Sequence, residues 1–129
     1  MKKKIYLAIP FSGIEDLSFR VANEVASLLI QQGHFVFSPI SHSYPIWKTE
    51  MVPHTYEVWL DQDKEFVKWA DEVWAINIMG RNGMDLIEKS IGVNVEMEWG
   101  HEQEKPVRII SYNPETRELS SPSLVLKIA

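Results

Sequence analysis

Apolar residues run almost without interruption from Lys4 to Ile9 and stop at Pro10, Ser12 and Gly13. A short continuous run of this kind fits a strand covered on both faces. From Asp16 to Gln32 the period changes: Leu17, Val21, Val25, Leu28 and Leu29 repeat as one face of a helix, and Gly33 follows as its C-terminal cap. His34 to Ser38 is a second short strand, ended by Pro39. Strand, helix and strand with so short a return link make a βαβ unit, which pairs its strands in parallel.

Ser38 to Pro53 reads as a loop, because Pro39, Pro45 and Pro53 break any regular element. It carries Ser41, His42, Ser43, Tyr44 and Trp47, and it leaves the carboxyl end of the second strand, where open α/β sheets bind ligands. Thr55 to Ala70 is a second helix with the stripe Trp59, Phe66, Val67 and Ala70, and Asp63 falls inside that stripe. Glu72 to Met79 is the third strand, followed by a loop from Gly80 to Lys89 in which Arg81 and Asp85 are ligand candidates or merely solvated. Ser90 to Gly100 is the third helix, and Val107 to Ile110 a fourth parallel strand. Residues 111–122 are polar and turn-rich; Leu124 to Ile128 either adds an edge strand or packs across a neighbouring subunit. The pattern predicts an α/β, three-layer flavodoxin-like (Rossmann-like) domain over residues 1–129, with a four- to five-stranded parallel sheet and three helices.

Two carboxylates stand out against this pattern. Asp63 is one turn from Trp59 and from Phe66 and Val67, so it must be paired, hydrogen-bonded or facing a cleft. Glu96 lies one turn inside the helix that Ser90 caps, with Val93 and Gly100 on its face and Glu98 pointing away. Gly92 allows close approach to a helix N-terminus that favours a negative group. The plainer alternative for Glu96 is a half-exposed glutamate on a solvated face.

Composition narrows the classes. The net charge of −5 argues against a nucleic-acid partner, and the lack of cysteine removes disulfides and thiol chemistry. No apolar run reaches the ~18 residues of a membrane span, and the opening run is too short for a signal peptide, so a cytoplasmic protein without a membrane partner is expected. There is no dinucleotide or Walker glycine pattern and no GxSxG elbow, and the four histidines lack ligand spacing, so neither a metal nor a cofactor is expected. Two carboxylates remain, a pair that can cleave a glycosidic bond through an oxocarbenium-like transition state. Tyr6, Tyr44 and Trp47 are candidates to stack on a planar base, or to fill the core and rim.

Ser90-Ile91-Gly92-Val93-x-x-Glu96 resembles the helix entry of the nucleoside 2-deoxyribosyltransferase superfamily, which includes the 2′-deoxynucleoside 5′-phosphate N-hydrolases. The opening Ile5-Tyr6-Leu7-Ala8, Asp63 with Ala70-Asp71, and Lys105-Pro106-Val107 match as well, and the likeness is nearest to short bacterial and phage members without assigned function. It covers residues 4–110 and leaves the tail, 111–129, unassigned. The resemblance implies Glu96 as the nucleophile at C1′ and Asp63 as the group that orients the ribose or serves as acid/base. It implies Tyr6 in the base or sugar pocket and Ser90 at the 5′ phosphate or hydroxyl, with Ser12, His42 and Gly92 as further substrate-binding residues. It also implies a small-molecule nucleoside or nucleotide partner and a homodimer or higher homo-oligomer. Two departures stand out: Glu98 and Gly100 replace the family's glycine and alanine, and Pro10-Phe11-Ser12 lacks the glycine and arginine of the phosphate hydrolases. Hydrolysis and transfer both remain open, as do the base and the sugar. The contrasting class is a non-enzymatic nucleotide-binding protein on the same fold.

Overall fold

A computed structural model describes residues 2–128, without the side chain of Tyr56. In chain order the elements are β1 (Lys4–Ala8), α1 (Glu15–Gln31), β2 (Phe35–Phe37), α2 (Pro39–Trp47), α3 (Tyr56–Trp69) and β3 (Glu72–Ile78). They continue with α4 (Gly83–Lys89), α5 (Ile91–Glu102), β4 (Val107–Asn113), β5 (Glu118–Ser121) and β6 (Leu124–Lys127). One six-stranded sheet runs in the order β2-β1-β3-β4-β5-β6. Its first four strands are parallel, and β5 and β6 add to the edge in antiparallel sense.

The alternation of side chains along β1 divides the core. Ile5 and Leu7 face α1 and pack with Val21, Val25, Leu29 and Ile76. Tyr6 and Ala8 face the opposite layer, where Val67 of α3 and Val93 and Trp99 of α5 cover the sheet. Gly100 permits the closeness of that second layer: a Cβ there would meet a Val107 methyl at 2.7 Å and a Val73 methyl at 3.1 Å. Glu96 therefore descends directly toward β1 on the face that Tyr6 occupies.

The three-layer α/β expectation holds, and the sheet and helix content differ in detail. The sheet is mixed rather than wholly parallel, because residues 111–128 extend β4 and fold back as the β5–β6 hairpin. The segment after β2 is a helix, not a loop. Ser38 accepts a hydrogen bond from the Ser41 N–H (3.3 Å), and Pro39 sits in the first turn, where no N–H is needed. Burial of Tyr44, whose hydroxyl reaches Asp16 at 2.9 Å, holds the turn around Pro45. The Gly80–Lys89 stretch likewise closes into α4, seated so near β3 that a Cβ on Gly83 would lie 1.9 Å from the Asn77 amide oxygen. The described chain thus has five helices where the apolar period marks three.

Candidate functional site

The carboxyl end of β1, the start of α1, α2, α3, the end of α4 and the first turns of α5 enclose a cleft of about 890 Å³. That is room for a ligand of nucleoside size. Ser90 builds one wall locally: its hydroxyl accepts from the Val93 N–H at 3.1 Å, which caps α5. The Ser90 oxygen is thus already engaged, and the backbone N–H groups of Ile91 and Gly92 are the free donors of that turn. A Cβ on Gly92 would touch nothing, so the turn opens onto the cleft.

Glu96 and Asp63 both line this cleft. The Tyr6 hydroxyl, fully buried beneath, donates to Glu96 Oε2. Burial pushes the Glu96 carboxyl up to about 8; the negative charge of Asp63 adds to the rise and the Tyr6 hydrogen bond opposes it. Burial pushes Asp63 up to about 7, and its Oδ1 has no hydrogen-bond partner among the described residues. Tyr6 itself is raised well above an ordinary tyrosine, first by burial and then by the two carboxylates. Both carboxyls titrate near neutrality, and the tyrosine hydrogen bond favours charge on Glu96 without bringing it below Asp63. A half-buried carboxylate and a half-buried carboxylic acid, lining the same cleft, can attack carbon and protonate a leaving group.

Of the residues singled out from the sequence, Glu96, Asp63, Ser12, Ser90 and Gly92 line the cleft. Tyr6 lies under Glu96 instead of among the lining residues. His42 is outside the lining; its ring packs at 5.6 Å from that of Phe37, and its Nδ1 sits 3.3 Å from the Ser43 hydroxyl. Arg81 is exposed away from the cleft, and Asp85 pairs with Lys89 at 3.0 Å. Glu98 is exposed, as its place on α5 requires.

An aromatic wall faces the carboxylates. Phe11, Tyr44, Trp47 and His54 pack edge to face and stacked, the last pair with centroids 4.2 Å apart. Trp59 of α3 also lines the cleft. His54 has no pattern in the sequence to mark it, since it follows Pro53 outside any periodic element. The one-turn spacing of Trp59 and Asp63 was visible, but it reads equally as core stripe. Among the described residues no group of three or more His, Asp or Glu side chains is placed to hold a metal ion.

A family described as a domain of unknown function, DUF1937, matches residues 3–112. The chain belongs to the DUF1937 family. No curated protein matches it. Among solved structures, this DUF1937 domain is similar to a 2-deoxyribosyltransferase from the psychrotolerant bacterium Bacillus psychrosaccharolyticus. The two share 25% identity and a TM-score of 0.58, over 86% of this chain and 72% of that one. It is also similar to a 2-deoxyribosyltransferase from Leishmania mexicana, with 16% identity, a TM-score of 0.57, and 98% and 79% of the two chains covered. At that second identity the likeness is one of fold. The DUF1937 domain has the Rossmann-like fold of the deoxyribosyltransferases, as the sequence resemblance implied. Among the described residues no helix is long and apolar enough to cross a membrane.

Proposed function

We propose that this DUF1937 domain cleaves or transfers the N-glycosidic bond of a (deoxy)nucleoside or nucleoside 5′-monophosphate, with Glu96 as nucleophile. The observation that carries the reading is the pair of half-buried carboxyls lining one cleft, with the Tyr6 hydroxyl donating to Glu96. The likeness to 2-deoxyribosyltransferases supports the same chemistry.

In this mechanism a Glu96 oxygen attacks C1′, the C1′–N bond breaks, and its electron pair leaves with the base. Asp63 gives its proton to the departing nitrogen. The result is a glycosyl ester on Glu96 and a free base. In the second step water or another base attacks C1′, Asp63 takes the proton of the attacking group, and the Glu96 carboxylate is released. The Tyr6 hydrogen bond orients the Glu96 carboxyl and lowers the cost of its charged form, which burial and the neighbouring Asp63 raise. Gly92 and the adjoining N–H groups, at an open helix N-terminus on the cleft, are the groups this reading assigns to a 5′ oxygen or phosphate of the sugar. The aromatic wall of Tyr44 and Trp47 offers faces for the base.

The reading includes a cytoplasmic homo-oligomer, at least a dimer, because Met51, Val58, Met79, Met84 and Ile91 leave apolar surface exposed; light scattering at tens of micromolar checks the mass. Incubation with a panel of nucleosides and their 5′-monophosphates, with free base scored by chromatography, tests the activity. Base release by the parent and its loss in Glu96→Gln are expected. A parent that binds members of the panel and cleaves none gives way to the second reading, a nucleotide-binding protein on the same fold.

A further inference from the structure

Among the described residues, four buried polar side-chain atoms have no hydrogen-bond partner: Ser41 Oγ, Trp59 Nε1, Gln62 Nε2 and Asp63 Oδ1. Such atoms are costly in a folded chain and call for a partner. Ser41 and Gln62 lie outside the cleft lining, but Trp59 and Asp63 both border it. They are also four residues apart on α3, so they stand one above the other on a single helix face. An indole nitrogen only donates, whereas a carboxyl in either protonation state keeps an oxygen that accepts. The two orphaned atoms are therefore complementary in kind and share one wall.

We propose that Trp59 and Asp63 form a donor–acceptor pair that selects the ligand, taking a group that both accepts and donates a hydrogen bond. Resting on the nucleoside reading above, that group is either a hydroxyl of the sugar or the carbonyl/N–H edge of the base. A hydroxyl satisfies both atoms through one oxygen; a base edge satisfies them through two neighbouring atoms. Both side chains border the cleft while the two atoms themselves are covered, so in this proposal the pair takes the group as the side chains turn toward the cleft. A ligand lacking the group leaves both atoms unsatisfied in the complex, which is how a site rejects an analogue by more than the loss of one contact.

Binding titrations in the Glu96→Gln background, where turnover does not intervene, test the pair. The probes are inosine and uridine, their 2′-deoxy and 3′-deoxy analogues, and purine riboside and pyrimidin-2-one riboside, which lack the carbonyl/N–H edge. One analogue class is expected to bind at least tenfold more weakly than its parent nucleoside. Trp59→Phe, which removes the N–H and keeps an aromatic ring, is expected to weaken the parent nucleoside by a similar factor and leave that analogue unchanged. Loss with the deoxy analogues assigns the pair to the sugar, and loss with the ribosides to the base. Equal binding of all analogues by the Glu96→Gln chain that keeps Trp59 overturns the proposal without a Trp59 variant having to fold. So does undiminished binding of every nucleoside by Trp59→Phe. In both cases the nucleoside reading stands. Failure of the Glu96→Gln chain to bind any probe, or any 5′-monophosphate of these nucleosides, overturns that reading and the pair with it.

Discussion

A carboxylate attacks carbon only while it is charged, and Glu96 is placed where charge is disfavoured. Burial lifts its titration to about 8 and that of Asp63 to about 7, so the catalytic form is the one in which the pair holds a single proton. Activity is expected to rise as the first proton leaves, to fall as the second leaves, and to peak between about 7 and about 8, read from kcat/KM against pH. Tyr6→Phe removes the hydrogen bond that, among the described residues, favours the charge on Glu96. The acid limb is then expected to move to higher pH and kcat to drop about ten- to a hundredfold, an outcome a merely space-filling tyrosine would not produce. Glu98→Gln, on the exposed side of α5, is expected to leave turnover nearly intact while Glu96→Gln loses it by orders of magnitude with binding retained. The same burial has a cost in stability. A carboxyl whose folded pKa is raised contributes fully below its unfolded value, near 4.5, and that contribution is lost as pH rises through about 8. Glu96→Gln is therefore expected to be more stable than the parent at pH 8 by several kcal/mol, and about equal at pH 4, in chemical denaturation. Both carboxylates were legible in the sequence, because each interrupts an apolar helix face. The Trp59 N–H was not, because an indole in such a stripe looks like any other core residue.

Elements were legible where the apolar period is long enough to count. The strands β1 and β3 and the helices α1 and α3 all follow that rule. The short helices α2 and α4 escaped it for separate reasons. In α2 two prolines suggested a loop, yet one occupies the first turn, where its ring fits, and the other lies late in a nine-residue helix. In α4 the glycines suggested a loop, but Gly83 serves close approach to β3 and opens the helix. These glycines give element-scale predictions. Gly100→Ala would press a Cβ into Val107 and Val73, and Gly83→Ala would drive one into Asn77 and the Ile78 backbone. Both are expected to destabilise, Gly100→Ala by about 1–3 kcal/mol and Gly83→Ala by more, since backbone cannot swing aside as a side chain can. Urea midpoints measure the difference. Ser90→Ala removes the α5 cap at the mouth of the cleft and is expected to cost about 1 kcal/mol.

At the scale of the whole molecule, the tail is the part the parallel pattern left unassigned. Periodicity offered an edge strand at Leu124 to Ile128, which β6 is, only as one of two alternatives and missed β5, because the two strands are only four residues each and alternate weakly. Their positions follow instead from contacts far apart in sequence. Leu119 is fully buried in the core that α1 covers, with Leu124, Leu126 and Ile128 packed around it. At the same border Glu24 of α1 accepts from the Tyr112 hydroxyl at 2.6 Å and pairs with Arg117 at 3.3 Å, while Arg20 donates to the Pro114 carbonyl. The hairpin thus closes the α1 layer over β4, on the face of the sheet away from Tyr6, Val67 and Val93. Removing residues 114–129 strips Leu119 from the core and leaves the Glu24 carboxylate without Arg117. It also exposes the outer edge of β4. The truncated chain is expected to melt well below the parent and to aggregate, and Leu119→Ala alone is expected to cost about 2–5 kcal/mol. The cleft tests whether that loss is global or local. Since no cleft residue lies in the hairpin, Leu119→Ala held well below its melting temperature is expected to bind nucleosides as the parent does. A selective loss of binding by folded Leu119→Ala would show instead that the hairpin shapes the cleft through the sheet.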